Sequence, residues 1–200
     1  MTAETSRKPL PPFKAPAGLG YVEPGTYERV SAASPAIRVM TSLRQVSAGT
    51  IRPDATIAEA TQTMIARGVR LLLVVDRDNL VVGLITARDT QGERPVRLVH
   101  EQGGRFEDLQ VRDVMTPRDA IDLIEIRDVM RAEVRDIVAT LKDQGRQHAL
   151  VADTDPITAQ IRICGIFSAT QIGRQLGLPV QTFEVAKTFA EIQAALAKEY

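Results

Sequence analysis

The sequence predicts an α+β fold made of two β-α-β-β-α units followed by a C-terminal helix. Three observations predict it. Residues Gly68 to Asp76 and Gly83 to Asp89 (GVRLLLVVD … GLITARD) return as Gly145 to Asp153 and Gly165 to Gln171 (GRQHALVAD … GIFSATQ). Ahead of each copy stands a second echo, Val39-Met40-Thr41 against Val114-Met115-Thr116. Helical spacing and β-branched runs also alternate in the same order in both copies. A degenerate internal repeat means two copies of one folding unit.

Residues 1–36 form an arm holding Pro9, Pro11, Pro12, Pro16, Pro24 and Pro35, with Gly18, Gly20 and Gly25 between them. Proline removes amide donors and blocks helix, so the arm is expected to be extended or disordered. The first unit, 37–91, begins with a short strand over Thr50-Ile51-Arg52-Pro53. Thr56 and Glu59 then form a capping box. Ile57, Ala60 and Met64 follow at helical spacing, and Gly68 supplies a left-handed C-terminus. Leu71–Asp76 and Leu80–Thr86 are apolar runs around Arg77-Asp78-Asn79, hence a hairpin. A further helix follows Thr86.

Residues 92–111, with Gly103-Gly104 and mixed charges, are expected to be a connection crossing between the units. In the second unit, 112–178, Ile121, Leu123 and Ile126 are expected to supply the first strand. Val134, Ile137, Val138 and Leu141 then mark one helix face. Gly145 ends that helix as Gly68 ends its counterpart. The second hairpin joins Ala149–Asp153 to Ile161–Phe167 through a longer loop, and such length changes belong in surface turns. In the extension, 179–200, Val180–Ala186 is expected to add a strand. A capping box at Thr188 and Glu191 opens a helix whose face is Phe189, Ile192 and Leu196.

The chain's 25 basic and 25 acidic side chains cancel, so no strong field points to nucleic acid or an anionic membrane. Aromatic residues make up 4% and Trp is absent, which argues further against base stacking. No apolar run is long enough to span a bilayer, and the lone Cys164 fits a reducing compartment. The expectation is a soluble, cytoplasmic protein. His100 and His148 are the only histidines, and no Cys/His group has metal-ligand spacing. No Ser-His-Asp arrangement or phosphate loop is visible, so no enzymatic activity is expected. Cys164 reads as an inert buried thiol. Asp76/Asp78 and Asp119/Asp122 fall at turns, where Asp bonds local backbone.

Two units of this order, each with Val-Met-Thr ahead of it, resemble the cystathionine-β-synthase (CBS) domain pair. The residues that carry the resemblance are Leu72-Leu73-Val74-Val75-Asp76 and Gly83-Leu84-Ile85-Thr86-Ala87-Arg88-Asp89. The latter matches the family's Gly-x-x-Ser/Thr-x-x-Asp turn. The resemblance covers roughly Ile37 to Leu178. It implies sheet-to-sheet packing with pseudo-twofold symmetry and two clefts between the units. It further implies an adenosine-containing ligand such as AMP, ADP, ATP or S-adenosylmethionine, and assembly into a homodimer. Modules of this family usually regulate an enzyme or transporter on the same chain. Nothing outside the pair is long enough here, so the regulated protein is expected to be a separate, unidentified partner.

If Thr86 and Asp89 border a cleft, first-turn amides and the Thr86 hydroxyl can donate to a phosphate. The Asp89 carboxylate, acceptor-only when ionised, suits a ribose diol. Hydrogen bonds to a charged group are worth about 1.5–3 kcal/mol, so this carboxylate would matter at least tenfold. Arg88, with Arg70 or Arg52, would offset phosphate charge. Thr50, Ile51 and Pro53, with Arg70, Leu71 and Leu72, would line the adenine pocket. A second, weaker cleft would use His148, Ala149, Ser168 and Gln171. Thr86-x-x-Asp89 equally has the form of a helix cap. Gln171, which replaces the aspartate in the second copy, is expected to cap its helix from Ser168 but to suit a diol less well. His148 reads mainly as a satisfied strand residue. The alternative function is a ligand-independent interaction module, its clefts filled by its own side chains or by Phe13, Leu19 and Tyr21 of the arm.

Overall fold

Apolar runs flanked by left-handed glycines become the central strands of two sheets. The computed structural model describes residues 29–177, together with 14, 16, 17, 190 and 192. In chain order the strands and helices are β1 (Thr41–Ser42), β2 (Thr50–Ile51), α1 (Ile57–Arg67), β3 (Leu71–Val75), β4 (Val81–Thr86) and α2 (Ala87–Gln91). They continue as α3 (Glu93–Gln102), α4 (Val111–Val114), β5 (Thr116–Pro117), β6 (Leu123–Glu125) and α5 (Ile126–Val129). The last are α6 (Val134–Asp143), β7 (His148–Thr154), β8 (Ile161–Ser168) and α7 (Ala169–Gln175).

Local chemistry sets the main elements. The Thr56 hydroxyl accepts from the Glu59 amide at 3.1 Å, and the Glu59 carboxylate takes the Thr56 amide at 2.7 Å, closing the capping box of α1. Gly68 leaves that helix at φ 63°, a conformation that costs glycine little. At α6 the Asp136 carboxylate accepts from the Glu133 amide at 2.9 Å. Gly145 follows at φ 60°.

The sheets are not contiguous in sequence. One has the order β2-β3-β4-β5 and the other β1-β8-β7-β6. In each, the first strand of the unit pairs parallel with the central strand, and the hairpin pairs antiparallel. The fourth strand comes from the segment preceding the other unit. Thr41 and Ser42 pair with Ile166 and Gly165, while Thr116 and Pro117 pair with Leu84 and Gly83. Each Val-Met-Thr segment thus completes the opposite sheet. The adjoining helical turns follow the same exchange: Val39 is buried in the second unit's core and Val114 in the first unit's.

Strand alternation sorts side chains into layers. Leu72 and Val74 of β3 face α1 with Ile57, Ala60 and Met64. Leu71, Leu73 and Val75 instead form a cluster with Leu150 of β7, backed by Leu84, Ile121, Ile163 and Ile166. The two sheets therefore pack face to face, with helices outside.

The structure corrects two sequence expectations and bears out a third. Residues 92–111 carry the ten-residue α3 rather than a plain connection; Leu98 packs against the first core while Val96 is exposed. Of the residues expected in the second unit's first strand only Leu123 is in it: Ile121 ends a short turn and packs between the sheets, while Ile126 opens α5, a single turn that buries Val129 in the second core. Residues 155–160 form the long hairpin loop, tied by the Asp155 carboxylate, which accepts from the Ile157 and Thr158 amides at 2.8 and 2.9 Å. The strand expected at 180–186, Phe189, Leu196, the Thr188/Glu191 box and arm residues Phe13, Leu19 and Tyr21 lie outside the described residues. Ile192 is helical and fully buried in the second core. At the other end of the described chain, Val30 is buried there too, its amide donating to the Gln175 carbonyl at 3.1 Å.

Candidate functional site

Two clefts flank the layer between the sheets, and each is assembled from both units. The first takes Thr86, Arg88 and Asp89 from the β4–α2 junction and Arg146, His148 and Ala149 from the start of β7. It encloses about 160 Å³. The second takes Arg70 and Leu71 from the start of β3, and Ser168, Gln171 and Arg174 from the β8–α7 junction. It encloses about 410 Å³. Leu71 and His148 line both clefts and form the wall between them.

This crossing regroups the residues expected from sequence. Arg70, expected beside Asp89, lines the cleft of Ser168 and Gln171 instead. His148 and Ala149, expected beside Ser168, line the cleft of Thr86 and Asp89, with His148 shared. Thr50, Ile51 and Pro53 line neither cleft, and Leu72 is fully buried against α1. The reason is the face-to-face packing: the turn opening α2 meets the central strand of the opposite sheet across the interface.

In the first cleft the half-buried Asp89 acts as a cap. Its Oδ2 accepts from the Thr86 amide at 2.8 Å and the Thr86 hydroxyl at 2.7 Å. Arg146 lies 3.1 Å from Asp122, so two cations and two carboxylates line this cleft. Arg88 also borders an adjoining hollow of about 220 Å³, together with Arg70 and Gln147.

The second cleft differs. Gln171 does not cap α7, which corrects the expectation from its spacing: Ser168 makes no side-chain cap bond. The Gln171 carbonyl instead accepts from the Thr41 hydroxyl at 3.1 Å, tying the exchanged strand to the helix. Arg70 donates to the buried Thr170 hydroxyl. Burial, and then the nearby Arg174 charge, lower the Arg70 pKa from the ordinary arginine value. Burial and then Arg70 push the His148 imidazole down to about 4, so it is neutral near pH 7. Among the described residues no Asp or Glu lines this cleft.

Sequence reasoning missed Thr41, Arg146 and Arg174 as lining residues. A signal existed for Arg174, which stands one helical turn after Thr170 and Gln171. Cys164 is buried, and desolvation raises its thiol pKa. Among the described residues no group of three or more His, Cys, Asp or Glu could hold a metal ion. No described helix is long and apolar enough to cross a membrane.

Comparison with known proteins fits this architecture. The CBS domain family model matches residues 38–90. An uncharacterized 17.7 kDa protein of Acidianus ambivalens is 29% identical over 143 residues, covering 72% of this chain and 75% of that protein. The crystal structure of an uncharacterized conserved protein from Pyrococcus horikoshii matches with a TM-score of 0.52 at 19% identity, over 76% of this chain and 99% of that one. A CBS-domain-containing protein from Agrobacterium tumefaciens matches with a TM-score of 0.51 at 21% identity, over 76% and 98%. At these identities the structural likenesses establish the fold. Residues 38–90 therefore match a CBS domain in sequence, and the described chain has the fold of tandem CBS-domain proteins.

Proposed function

We propose that this CBS pair is a non-catalytic regulatory module, binding an adenosine-containing ligand in a cleft between its units and acting on a separate protein partner as a homodimer. One observation carries the reading: both clefts are assembled from both units and share the Leu71–His148 wall. A ligand seated in either cleft touches both units, so its affinity depends on how they pack. Such a differential affinity is what ligand-driven regulation requires. The test is a thermal-shift panel of AMP, ADP, ATP and S-adenosylmethionine at millimolar concentration. At least one should raise the melting temperature, because ligand that binds only the native state stabilises it by mass action. A flat response across the panel overturns the proposal.

A second reading, a ligand-independent dimerisation module, draws support from the first cleft. Its volume of about 160 Å³ lies below the roughly 300–1,000 Å³ usual for ligand pockets. Under that reading, the flat panel would accompany a stable dimer in sedimentation equilibrium.

A further inference from the structure

We infer that the second cleft is the ligand site and that it selects a phosphorylated nucleoside, with Arg70 and Arg174 as the phosphate partners. This rests on the reading above that the chain takes an adenosine-containing ligand, and it names the cleft and the ligand class.

Room is the first ground. The second cleft, at about 410 Å³, is more than twice the first, at about 160 Å³. Only the larger falls within the usual range for small-molecule sites. Charge is the second. Arg88 and Arg146 in the first cleft are matched by Asp89 and Asp122, a formal sum of zero. Among the described residues the second cleft is lined by Arg70 and Arg174 with no carboxylate, a formal sum of +2. In a partly enclosed site such a pair favours an anion, and guanidinium forks suit phosphate oxygens. Burial and mutual repulsion already disfavour the charged form of Arg70, and an entering dianion relieves that repulsion.

Position is the third ground. The repeat alignment sets Arg70 against Gln147 and Arg174 against Gly92, so both cations belong to one copy of each junction only. At both positions the other copy carries a neutral residue, so the fold itself does not require a cation there. The rest of the second cleft offers Thr41, Ser168 and Gln171, neutral hydroxyl and amide groups able to pair with a sugar.

The test is calorimetric titration of the full chain with AMP and with adenosine. AMP should bind at least about tenfold tighter, the order expected for charge-assisted bonds to phosphate. Arg174→Gln, at an exposed position, should collapse the AMP-to-adenosine ratio toward one. Arg70→Lys, which keeps the charge but loses the fork, should reduce it partly. Arg146→Gln in the first cleft should leave the ratio unchanged. Adenosine binding as tightly as AMP, or loss of the preference in Arg146→Gln instead of Arg174→Gln, overturns this inference and leaves the proposed function standing. Failure of AMP, ADP, ATP, adenosine and S-adenosylmethionine alike to bind overturns both.

Discussion

The side chain of Met40 occupies the place where a Cβ on Gly165 would stand, and Met115 does the same to Gly83. Both halves of the sequence echo thereby acquire a physical role. The methionine of each Val-Met-Thr segment packs over the hairpin glycine of the opposite unit, beside the strand pairing Thr41–Ile166 or Thr116–Leu84. A Cβ at Gly83 would meet the backbone of the exchanged strand itself, whereas one at Gly165 would meet only the Met40 side chain.

Gly83→Ala should therefore destabilise the protein by about 1–3 kcal/mol, the usual cost of overpacking. Its Cβ would come within 2.7 Å of both the Met115 Sδ and the Thr116 carbonyl oxygen. The backbone oxygen cannot swing away. Gly165→Ala should cost less, since only the flexible Met40 thioether stands in its path. Urea denaturation of the two variants measures the ranking, and a Gly83→Ala protein as stable as the wild type would refute the lock.

Asp89 gives a separable prediction. Its carboxylate holds the Thr86 amide and hydroxyl, so Asp89→Ala removes a cap and should cost about 1 kcal/mol in the unliganded protein. With the ligand in the second cleft, the AMP dissociation constant of this variant should move by less than about threefold. A tenfold weakening would instead be the signature of a ribose bond, at the size expected for hydrogen bonding to a charged group. Denaturation and titration of the same sample read both effects.

Much of the architecture was legible because it is encoded locally. The Thr56–Glu59 box, the Val134, Ile137, Val138 and Leu141 face, and both hairpins depend on residues a few positions apart. The exchanged strands depend on partners more than a hundred residues away in one case, Thr41 with Ile166, and two-residue strands have no periodicity to read. The echo marked these segments without saying what they pair with. Cleft membership was lost for the same reason. The order of the chain puts Arg70 near Thr86, and only the packing of the sheets carries Arg70 to Ser168 and Asp89 to His148. Gln171 misled because its spacing from Ser168 fits a cap, whereas a long-range hydroxyl, Thr41, claims it.

Ile192 tests how far the C-terminal segment belongs to the fold. Its side chain is fully buried in the second core among residues that include Val30, Val39 and Ile172. Ile192→Ala should destabilise by about 2–4 kcal/mol, as burial loss and a residual cavity both count. The measurement is again the urea midpoint at constant slope. A loss under half a kcal/mol, the range of an exposed substitution, would mean that the segment does not pack there in solution.

His148 should make stability depend on pH between about 6.5 and 4. The ordinary imidazole value is 6.5, and burial followed by Arg70 lowers it to about 4 in the folded chain. Within that interval the unfolded chain binds the extra proton and the folded one does not. Stability is thus complete above 6.5 and falls as the pH drops toward 4. The full shift corresponds to roughly 3 kcal/mol, but the half-buried ring lies between two solvent-reached clefts, so a loss of about 1–3 kcal/mol is expected. Arg70 and Arg174 face it through the second cleft, and Arg88, Arg146, Asp89 and Asp122 through the first. His148→Leu, which copies Leu71 at the matching position of the first unit, isolates the imidazole from the carboxylates titrating nearby. Denaturation of both proteins at several pH values should show a slope between 6.5 and 4 that the variant lacks. Equal slopes would assign the acid sensitivity to other groups, and an imidazole titrating near 6.5 by NMR would place His148 in open solvent.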